Sequence, residues 1–438
     1  MPKVLLIHTV FRKGTATSEP LSLEYLAAFL LERGIDVRIC DENHQGLDQM
    51  FEEYQPDFLG ISATTPNIER AYEICKQYRG RCKTIIGGVH ATIFPLEAAE
   101  YCDHVVSGDG EVELLRIVKG YSQHKIEHGA PCSLDLLSPP ARHLVDMKYY
   151  SNEMATRWFF GQGHPTTVVM TSRGCPFRCT YCWNSTRKEP VRYSSPEKVL
   201  AEIVHLIKEY GIRSFYFVDD DFLLPHSRFK QIAALLKPLG IRYSINSRST
   251  SVSDEVLSAF KKSGGEFISF GFESGSQRIL DVLNKRSTVE NNINAINLCK
   301  KHGIAIMGWI MVGNPTETPA DIEMSKRFII ENPIDFVTIC ITTAFPGTKM
   351  WEYCQENNLV PAGHKWSDYN MAEIANGWSP NTEMTRAEIV KAYHELVAIT
   401  EKNKQKIKLS TAFRIFRNDP LGSLRYINRI GKLLRRLG

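Results

Sequence analysis

The sequence predicts an α/β protein in which two parallel-sheet units follow one another and a mainly helical region ends the chain. Two observations support this fold class. Short apolar runs alternate with amphipathic helical segments over residues 1–120 and again over residues 166–350. Glycine, proline and small polar residues separate these runs, as is typical of loops that join strands and helices. We therefore assign a first α/β domain, a linker, a second α/β domain and a C-terminal helical region to residues 1–125, 126–165, 166–350 and 351–438.

The composition is that of a protein with ordinary buried cores, because 43% of its 438 residues are hydrophobic and 23% are charged. No apolar run reaches the length of a transmembrane helix, and the first residues lack the pattern of a signal peptide. These features predict a cytoplasmic protein. Its eleven cysteines are then expected to be reduced or bound to metal rather than paired in disulfides.

The first domain is predicted from five repeats of a strand and a helix. The first strand contains the apolar run Val4–Ile7, and the helix that follows it ends at Gly34. Repeats of this kind form a doubly wound parallel sheet of the flavodoxin or Rossmann type, whose ligands bind beyond the carboxyl ends of the strands. The predicted strands are Lys3–His8, Asp36–Cys40, Asp57–Ser62, Lys83–Ile86 and His104–Ser107.

Small residues follow the third, fourth and fifth of these strands. Such residues allow a bulky ligand to approach the backbone closely. The alternative is that the glycines only turn each strand into the next helix. Because three such loops lie on one edge of the sheet, we favour a ligand site there. The candidate residues are Ser62, Thr64, Gly87, Gly88, Val89, Gly108, Gly110 and Glu111.

The second domain is predicted from six further repeats, which fit a partial (β/α)6 barrel of the TIM type. Chemistry in such barrels takes place at the carboxyl ends of the strands, and polar residues concentrate there in Asp219–Asp221, Arg248 and Glu273–Ser274. Each group alone could be a solvated turn, a helix cap or an ion-pair partner, but their positions at successive strand ends favour a binding site. The predicted strands are Thr166–Thr171, Ser214–Asp219, Arg242–Ser247, Phe267–Phe272, Ile304–Val312 and Asp335–Thr342.

Three cysteines with the spacing CxxxCxxC lie in a loop after the first strand of this domain. They are Cys175, Cys179 and Cys182, and the helix after the loop begins at Ser195. Three thiolates on a four-iron cluster leave one iron open to an outside molecule. A buried apolar role is disfavoured because the loop has neither strand nor helix periodicity. A zinc site would need a fourth ligand, which the nearby sequence does not provide.

These cysteines, with Tyr181 before the last of them, resemble the signature of the radical S-adenosylmethionine enzymes. The resemblance implies a [4Fe-4S] cluster whose open iron holds S-adenosylmethionine, and a 5′-deoxyadenosyl radical that removes hydrogen from a substrate. The segment GNPTET resembles the family's GxPGET, but Thr316 replaces a glycine, so a different loop is expected there. The S-adenosylmethionine residues that the resemblance implies are Tyr181, Asp219, Asp220, Asp221, Arg248, Glu273, Ser274, Gly308, Ile310 and Gly313.

The first domain is similar to the cobalamin-binding domains of one subclass of that family. By this resemblance, the candidate residues between Ser62 and Glu111 surround the nucleotide tail of cobalamin. Many cobalamin proteins have a DxHxxG motif after the first strand, whose histidine binds cobalt, but the segment from His8 to Gly14 contains no such motif. The lower face of the cobalt is therefore expected to be open or bound to water.

Charge is distributed unevenly along the chain. Residues 402–438 contain eleven Lys or Arg and one acidic residue, so this tail carries +10 and the rest of the chain −6. We favour a helix that packs on its own protein with a solvated basic face. Peripheral contact with a membrane surface or a lipid substrate is the alternative, and no nucleic-acid motif stands out.

The resemblance predicts a cobalamin-dependent methyltransferase that acts on an unactivated carbon of a small-molecule or lipid substrate. A reductase, a flavodoxin or a ferredoxin is expected to supply electrons. Two alternatives remain open. One is a cyclase or oxygenase reaction, as in the anaerobic magnesium-protoporphyrin monomethyl ester cyclase, and the other is a corrinoid or redox sensor without catalytic activity.

Overall fold

The computed structural model describes residues 1–10, 18–157, 164–369 and 378–401. The predicted basic tail, which starts at Lys402, and most of the loop after the first strand lie outside these residues. None of the described helices is both long enough and apolar enough to cross a membrane.

The N-terminal domain contains a parallel sheet with helices on both faces, as predicted. Its elements are, in chain order, β1 (Lys3–His8), α1 (Leu21–Leu31), β2 (Asp36–Asp41), α2 (Leu47–Tyr54), β3 (Phe58–Ser62), α3 (Ile68–Gln77), β4 (Lys83–Gly87), α4 (Val89–Ile93), α5 (Pro95–Ala99), β5 (His104–Gly108), α6 (Glu111–Val118) and β6 (Ile126–Gly129).

The strand order is β2-β1-β3-β4-β5-β6, so the direction of winding reverses between β1 and β3. Residues Val4–Ile7 are all buried because α1 and α6 pack on one face of the sheet and α2 to α5 on the other. Strand β6 corrects the sequence analysis, since it pairs with β5 but lies in the segment assigned to a linker. Its sequence, Ile-Glu-His-Gly, has one apolar residue and therefore no strand pattern.

The second domain contains the predicted partial barrel. A helix in the linker, α7 (Met147–Arg157), precedes it. The barrel elements are β7 (Thr166–Val169), β8 (Ser172–Arg173), β9 (Arg192–Tyr193), α8 (Pro196–Tyr210), β10 (Ser214–Phe217), α9 (His226–Leu236), β11 (Arg242–Ser247), α10 (Asp254–Lys262), β12 (Gly265–Glu273), α11 (Gln277–Val282), α12 (Val289–Lys301), β13 (Ala305–Val312), α13 (Pro319–Glu331), β14 (Phe336–Ile341) and α14 (Lys349–Glu356).

Six of these strands form one parallel sheet in the order β7-β10-β11-β12-β13-β14, while β8 and β9 form a short antiparallel pair. Within the described residues β7 and β14 do not pair with each other, so the barrel is open along this side. The outward apolar side chains of the strands and the inward faces of the helices make one continuous hydrophobic core. The carboxyl ends of the six strands thus meet at one rim.

A last helix, α15 (residues 386–401), packs on the barrel core through Ile389, Ala392 and Leu396. It begins with a capping box formed by Thr385 and Glu388. The N–H of Glu388 donates to Thr385 Oγ1 at 3.3 Å, and the N–H of Thr385 donates to the Glu388 carboxylate at 2.7 Å.

Arg142 joins the two domains through a buried ion-pair network. Its guanidinium donates to Glu19 before α1, to Glu202 on α8 at 3.0 Å, and to the carbonyl of Val168 on β7 at 2.8 Å. Glu24 on α1 lies 3.9 Å from the same guanidinium. Carboxylates from both domains therefore share one buried cation, which fixes the N-terminal sheet against the barrel.

Candidate active site

The cysteine loop lies between β8 and β9. Gly174 precedes Cys175 with φ of +99°, a conformation that favours glycine. The N–H of Cys182 donates to the carbonyl of Cys179 at 3.0 Å. Main-chain hydrogen bonds of 3.0 and 2.9 Å join Thr180 to the end of α11 and to the start of α14. The loop is therefore held from both sides at the rim of the barrel.

The three thiols form a donor set suited to a metal cluster. Cys179 is buried, and Cys175 and Cys182 are half-buried. Burial raises the pKa of Cys175 to about 12, and the charges of Asp220, Asp221 and Cys182 add to the rise. Thiols in such surroundings stay protonated unless a cation is present, and the iron of a cluster would supply that positive charge. The loop fits an iron–sulfur cluster held by the three cysteines.

Arg248, at the end of β11, contacts the cysteine loop. Its Nη1 donates to Cys179 Sγ at 3.2 Å, and its guanidinium lies 3.8 Å from the centre of the Phe177 ring. Its Nε and Nη2 are buried and have no hydrogen-bond partner among the described residues. Because unpaired buried donors are costly, this guanidinium fits an anionic ligand such as the carboxylate of S-adenosylmethionine.

Two of the three aspartates after β10 already have partners. Asp219 is 1% exposed and accepts hydrogen bonds from the N–H and hydroxyl of Thr171 at 3.0 and 2.8 Å. Asp221 is buried and accepts from Ser247 at 2.9 Å and from Ser251 at 2.6 Å. These carboxylates connect neighbouring strand ends and are not open to a ligand.

Asp220 is the aspartate that remains open at the rim. It is exposed and accepts one hydrogen bond, from the side-chain amide of Asn184 at 3.1 Å. The same amide lies 3.7 Å from Cys182 Sγ. Asp220 is therefore placed to accept the ammonium group of a ligand bound at the cysteine loop.

Glu273 ends β12 with φ of +64°, which is uncommon for a residue other than glycine. Its carboxylate accepts hydrogen bonds from Tyr181 Oη and Lys285 Nζ, both at 2.7 Å, and these two groups lie 3.0 Å apart. A side chain at Gly271 would collide with this carboxylate. Burial raises the pKa of Tyr181 well above its usual value, so its hydroxyl remains a donor. The network connects the cysteine loop to the acid predicted to bind the ribose.

Three other predicted residues do not present side chains to the rim. Ile310 is buried in the barrel core, and a Cβ at Gly308 would lie 2.7 Å from the Phe272 ring. Ser274 is fully buried, with its hydroxyl 3.2 Å from that of Ser325 on α13. A contact of Gly308 or Ile310 with adenine would therefore be made by the main chain.

The loop after β13 is organised around Glu317, whose carboxylate accepts the N–H groups of Gly313 and Asn314 at 2.6 and 3.1 Å. Burial raises the pKa of Glu317 to about 7, although these hydrogen bonds oppose the rise. Thr316 has φ of +59°, the left-handed conformation that glycine adopts most readily. Threonine at this position thus keeps a glycine-like backbone.

A cavity of about 410 Å³ opens between the carboxyl edge of the N-terminal sheet and the barrel. Leu6 and Leu114 belong to its apolar wall, and Met170 and Val218 belong to its barrel side. Pockets for small ligands measure roughly 300 to 1,000 Å³, so the cavity suits an aromatic nucleotide tail. The predicted cobalamin residues that line it are Ser62, Gly87, Gly88, Gly108, Gly110 and Glu111.

The other two predicted cobalamin residues are placed differently, since Thr64 is exposed and neither it nor Val89 is among the described lining residues. Gly88 has φ of +93°, and a Cβ there would lie 2.6 Å from the carbonyl oxygen of Ala63. Only glycine fits this position. Glycine is required here because the backbone after β3 packs closely against the end of β4.

Arg173 connects this cavity to the cysteine loop. It lines the cavity two residues before Cys175, and its guanidinium donates to Glu111 at 2.7 Å and to Asp109 at 3.4 Å. Arg192 on β9 also contacts Asp109, at 3.2 Å. The second carboxylate oxygen of Glu111 is buried without a partner in the described part of the chain, so it could accept an amide of a bound corrin.

Sequence reasoning missed Arg173, Asn184 and Lys285. Lys285 meets Tyr181 across 104 positions of the chain, and Arg173 meets Glu111 across 62. No local pattern marks such residues, because the partner that gives each one its role lies on another element.

Two family models match the chain. The radical SAM superfamily model matches residues 169–329, and the B12 binding domain model matches residues 7–118. An uncharacterized methyltransferase of Pyrococcus horikoshii is 32% identical over 396 residues, which cover 82% of this chain and 84% of the relative. An anaerobic magnesium-protoporphyrin IX monomethyl ester cyclase of Rubrivivax gelatinosus is 27% identical, and the match covers 80% of this chain and 69% of the relative.

A solved structure has the same fold. The radical S-adenosylmethionine methyltransferase TsrM of Kitasatospora setae, with cobalamin and a [4Fe-4S] cluster bound, matches with a TM-score of 0.66 at 18% identity over 82% of this chain and 79% of that one. Both domains are thus identified by family models, and a relative is similar over most of its length. The chain therefore belongs to the cobalamin-dependent radical S-adenosylmethionine methyltransferase family, whose enzymes use a [4Fe-4S] cluster, S-adenosylmethionine and cobalamin.

Proposed function

We propose that this protein transfers a methyl group to an unactivated carbon of a small-molecule or lipid substrate. In this proposal Cys175, Cys179 and Cys182 hold the cluster, and the cavity beside Gly87 and Gly88 holds the nucleotide tail of cobalamin. When bound, these cofactors supply the radical that removes hydrogen from the substrate and the methyl group that replaces it. An external reductase, flavodoxin or ferredoxin supplies the electrons.

The chain's own residues bind and orient these groups. Arg248 receives the carboxylate of S-adenosylmethionine, Asp220 its ammonium group and Glu273 its ribose. Lys285 and Tyr181 orient the Glu273 carboxylate, because each donates a hydrogen bond to it. Gly87 borders the space in which the tail of cobalamin lies, since an added Cβ there would have no atom nearer than 3.5 Å.

The observation that carries the proposal is the connection between the two cofactor sites. Arg173 lines the cavity and precedes the cysteine loop by two residues, and its ion pairs with Glu111 and Asp109 hold the two rims together. A group held over the cavity is therefore close to a group held at the cysteines. Methyl transfer needs such proximity, since one substrate carbon must meet both the radical and the methyl donor.

The test uses S-adenosylmethionine with a deuterated methyl group, so that the label itself reveals the substrate. Reduced protein loaded with hydroxocobalamin is incubated with this compound and with a small-molecule or a lipid extract. We expect label on the extracted corrinoid, label in one product of one extract, and formation of 5′-deoxyadenosine. An unlabelled corrinoid together with 5′-deoxyadenosine would overturn methyl transfer.

The cyclase reaction is the second candidate, because a relative with 27% identity over most of the chain is named as such an enzyme. The same experiment separates the two reactions. Cyclisation removes hydrogen from the substrate and leaves no deuterated methyl group in the product. A protein that forms neither labelled corrinoid nor 5′-deoxyadenosine would instead fit a corrinoid sensor.

A further inference from the structure

His8 is the last residue of β1 and lies on the carboxyl rim of the N-terminal sheet. Side chains alternate along a strand, so His8 points to the same face as Leu6, which lines the cavity. In the parallel register Ile7 pairs with Ile61, which places His8 beside Ser62, another lining residue. β1 and β3 are also the strands between which the winding reverses, where ligands of doubly wound sheets bind.

The imidazole of His8 is held by one carboxylate. Its Nδ1 lies 3.1 Å from Asp41 Oδ1, at the end of the neighbouring strand β2. Asp41 is buried, and it also accepts hydrogen bonds from the Tyr150 hydroxyl on α7 and from the N–H of Asn43 at 3.0 Å. An oxygen acceptor at this distance from Nδ1 favours the tautomer with hydrogen on Nδ1 and holds the ring in one orientation.

This arrangement leaves the other ring nitrogen available. The His8 side chain is 24% exposed, and its Nε2 has no hydrogen bond or ion pair within the part of the chain that the structure describes. A histidine that binds a metal usually donates its second ring N–H to a carboxylate, which fixes the ring and makes the free nitrogen more basic. His8 and Asp41 have this geometry at the carboxyl rim of the N-terminal sheet, next to the cavity residues Leu6 and Ser62.

We propose that His8 Nε2 is the lower-face ligand of the cobalt of cobalamin. The inference rests on the proposed use of cobalamin, and it replaces the expectation of an open or water-bound lower face. The lone pair of Nε2 takes the place of a water molecule on cobalt, while the Nδ1 hydrogen remains on the ring and is donated to Asp41. No oxidation or reduction accompanies this exchange.

The ligand has a consequence for reduction. A nitrogen donor on the lower face stabilises Co(II) more than Co(I), because Co(I) holds no strong axial ligand. His8→Asn, which still allows a hydrogen bond to Asp41, is therefore expected to make the Co(II)/Co(I) midpoint potential less negative. Asp41→Asn should shift the potential in the same direction by a smaller amount, since it weakens the orientation of the ring but leaves the nitrogen in place.

The direct test is electron paramagnetic resonance of full-length protein loaded with cobalamin and reduced to Co(II). A single axial nitrogen-14 splits each resolved cobalt line into a triplet, whatever the reaction of the enzyme. Protein grown with nitrogen-15 histidine should give doublets instead, because the ligand is then a protein histidine. His8→Asn should lose the splitting. His44→Asn is the matched control and should keep it, since His44 lies near the same Asp41 but packs its ring 3.9 Å from that of Tyr149.

Adding imidazole to His8→Gly should restore the nitrogen splitting. A triplet that the histidine label does not change would mean that the nucleotide base is the ligand, and an unsplit spectrum would mean water or an open face. Either result overturns the role of His8 while leaving cobalamin use intact. Failure of the protein to retain cobalamin at all would overturn both proposals.

Discussion

At the scale of single residues, the candidate site is marked by polar atoms without a full set of partners among the described residues. Within that part of the chain, Arg248 has two unpaired buried nitrogen atoms, Glu111 has one unpaired buried oxygen, and Asp220 is exposed with one neutral hydrogen bond. Asp219 and Asp221, next to Asp220 in sequence, are fully engaged by hydroxyl groups. Unpaired polar groups gain most from a bound ligand, so we expect these three residues to contact cofactors in addition to Glu273.

The cysteine assignment can be tested by metal content. Replacing Cys175, Cys179 and Cys182 together by alanine removes the thiolates that hold a cluster, so anaerobically reconstituted protein should fall from about four iron per chain to none. Cys299→Ala is the control, because Cys299 is buried in the barrel core, and it should keep its iron. Iron retained by the triple variant would contradict the assignment.

The role of Glu273 can be tested by binding. Glu273→Gln removes the negative charge that Tyr181 and Lys285 orient, and a lost charged hydrogen bond weakens affinity roughly ten- to hundredfold. We expect this loss for S-adenosylmethionine in equilibrium dialysis, with the absorbance of the cluster unchanged. Ser274→Ala, which alters the adjacent residue on the α13 side, should bind normally. If Glu273→Gln bound S-adenosylmethionine with unchanged affinity, Glu273 would have only a structural role.

At the scale of elements, the sequence could predict which residues meet at the carboxyl ends of the strands, but not which of them contact each other. In a parallel sheet all carboxyl ends meet at one edge, so residues as distant in sequence as Ser62 and Gly108 could be placed on one cavity. The sequence could not show which of them already has a partner, as Asp219 does, or that Lys285 reaches Glu273. The sequence did not predict β6 for a related reason. This segment is a strand because it pairs with β5, and its own residue pattern does not indicate one.

The loop after β13 stores strain that a substitution should release. Thr316 is β-branched and has φ of +59°, a conformation that costs roughly 1–3 kcal/mol for residues other than glycine. Thr316→Gly should therefore raise the free energy of unfolding by on the order of 1 kcal/mol after the entropy of glycine is deducted. Asn358→Gly, at φ of +55°, should gain less because asparagine tolerates this conformation. Chemical denaturation measures the free energy of unfolding of both variants. A lower value for Thr316→Gly than for the parent would show that the Thr316 backbone is not strained.

A bulky residue in place of Gly87, at the end of β4, is expected to fill the cavity. Gly87 has an ordinary φ, and the nearest atom to an added Cβ is 3.5 Å away, so the backbone accepts a larger residue. The indole of Gly87→Trp should occupy the cavity and prevent retention of cobalamin, measured by absorbance after gel filtration. The iron content should not change, because the cysteines lie on the other domain. Gly46→Trp is the control and should retain cobalamin, because no atom lies within 4 Å of an added Cβ there. Retention of cobalamin by Gly87→Trp would mean that the cavity is not the cobalamin site.

At the scale of the whole molecule, the two domains meet at a buried set of charges. Arg142 is 2% exposed and faces three carboxylates, those of Glu19, Glu24 and Glu202. Burial, together with the charges of Glu19 and Glu202, raises the pKa of Glu24 to about 8 although Arg142 opposes the rise. Breaking a buried charge set is strongly destabilising, so this junction keeps the cysteine loop and the cavity in a constant relation.

Glu24 should make stability depend on pH. Its pKa is about 8 in the folded protein and near its ordinary 4.5 in the unfolded chain, so the stability present below pH 4.5 is lost as pH rises toward 8. Glu24→Gln removes this loss. The variant should be more stable than the parent at pH 8, with an advantage that shrinks by on the order of 1 kcal/mol per pH unit on acidification. Denaturation curves at several pH values measure this, and an advantage independent of pH would contradict it.

The position of Arg142 also bears on how such a chain can be divided and recombined. Family resemblance divides the protein into two modules, but the guanidinium that neutralises their facing carboxylates comes from the segment between them. A module exchanged without this segment would bring its glutamates to the junction and leave their counter-charge behind. The unit that evolution or an engineer can transfer intact is therefore the pair of domains with its connecting segment, rather than either domain alone.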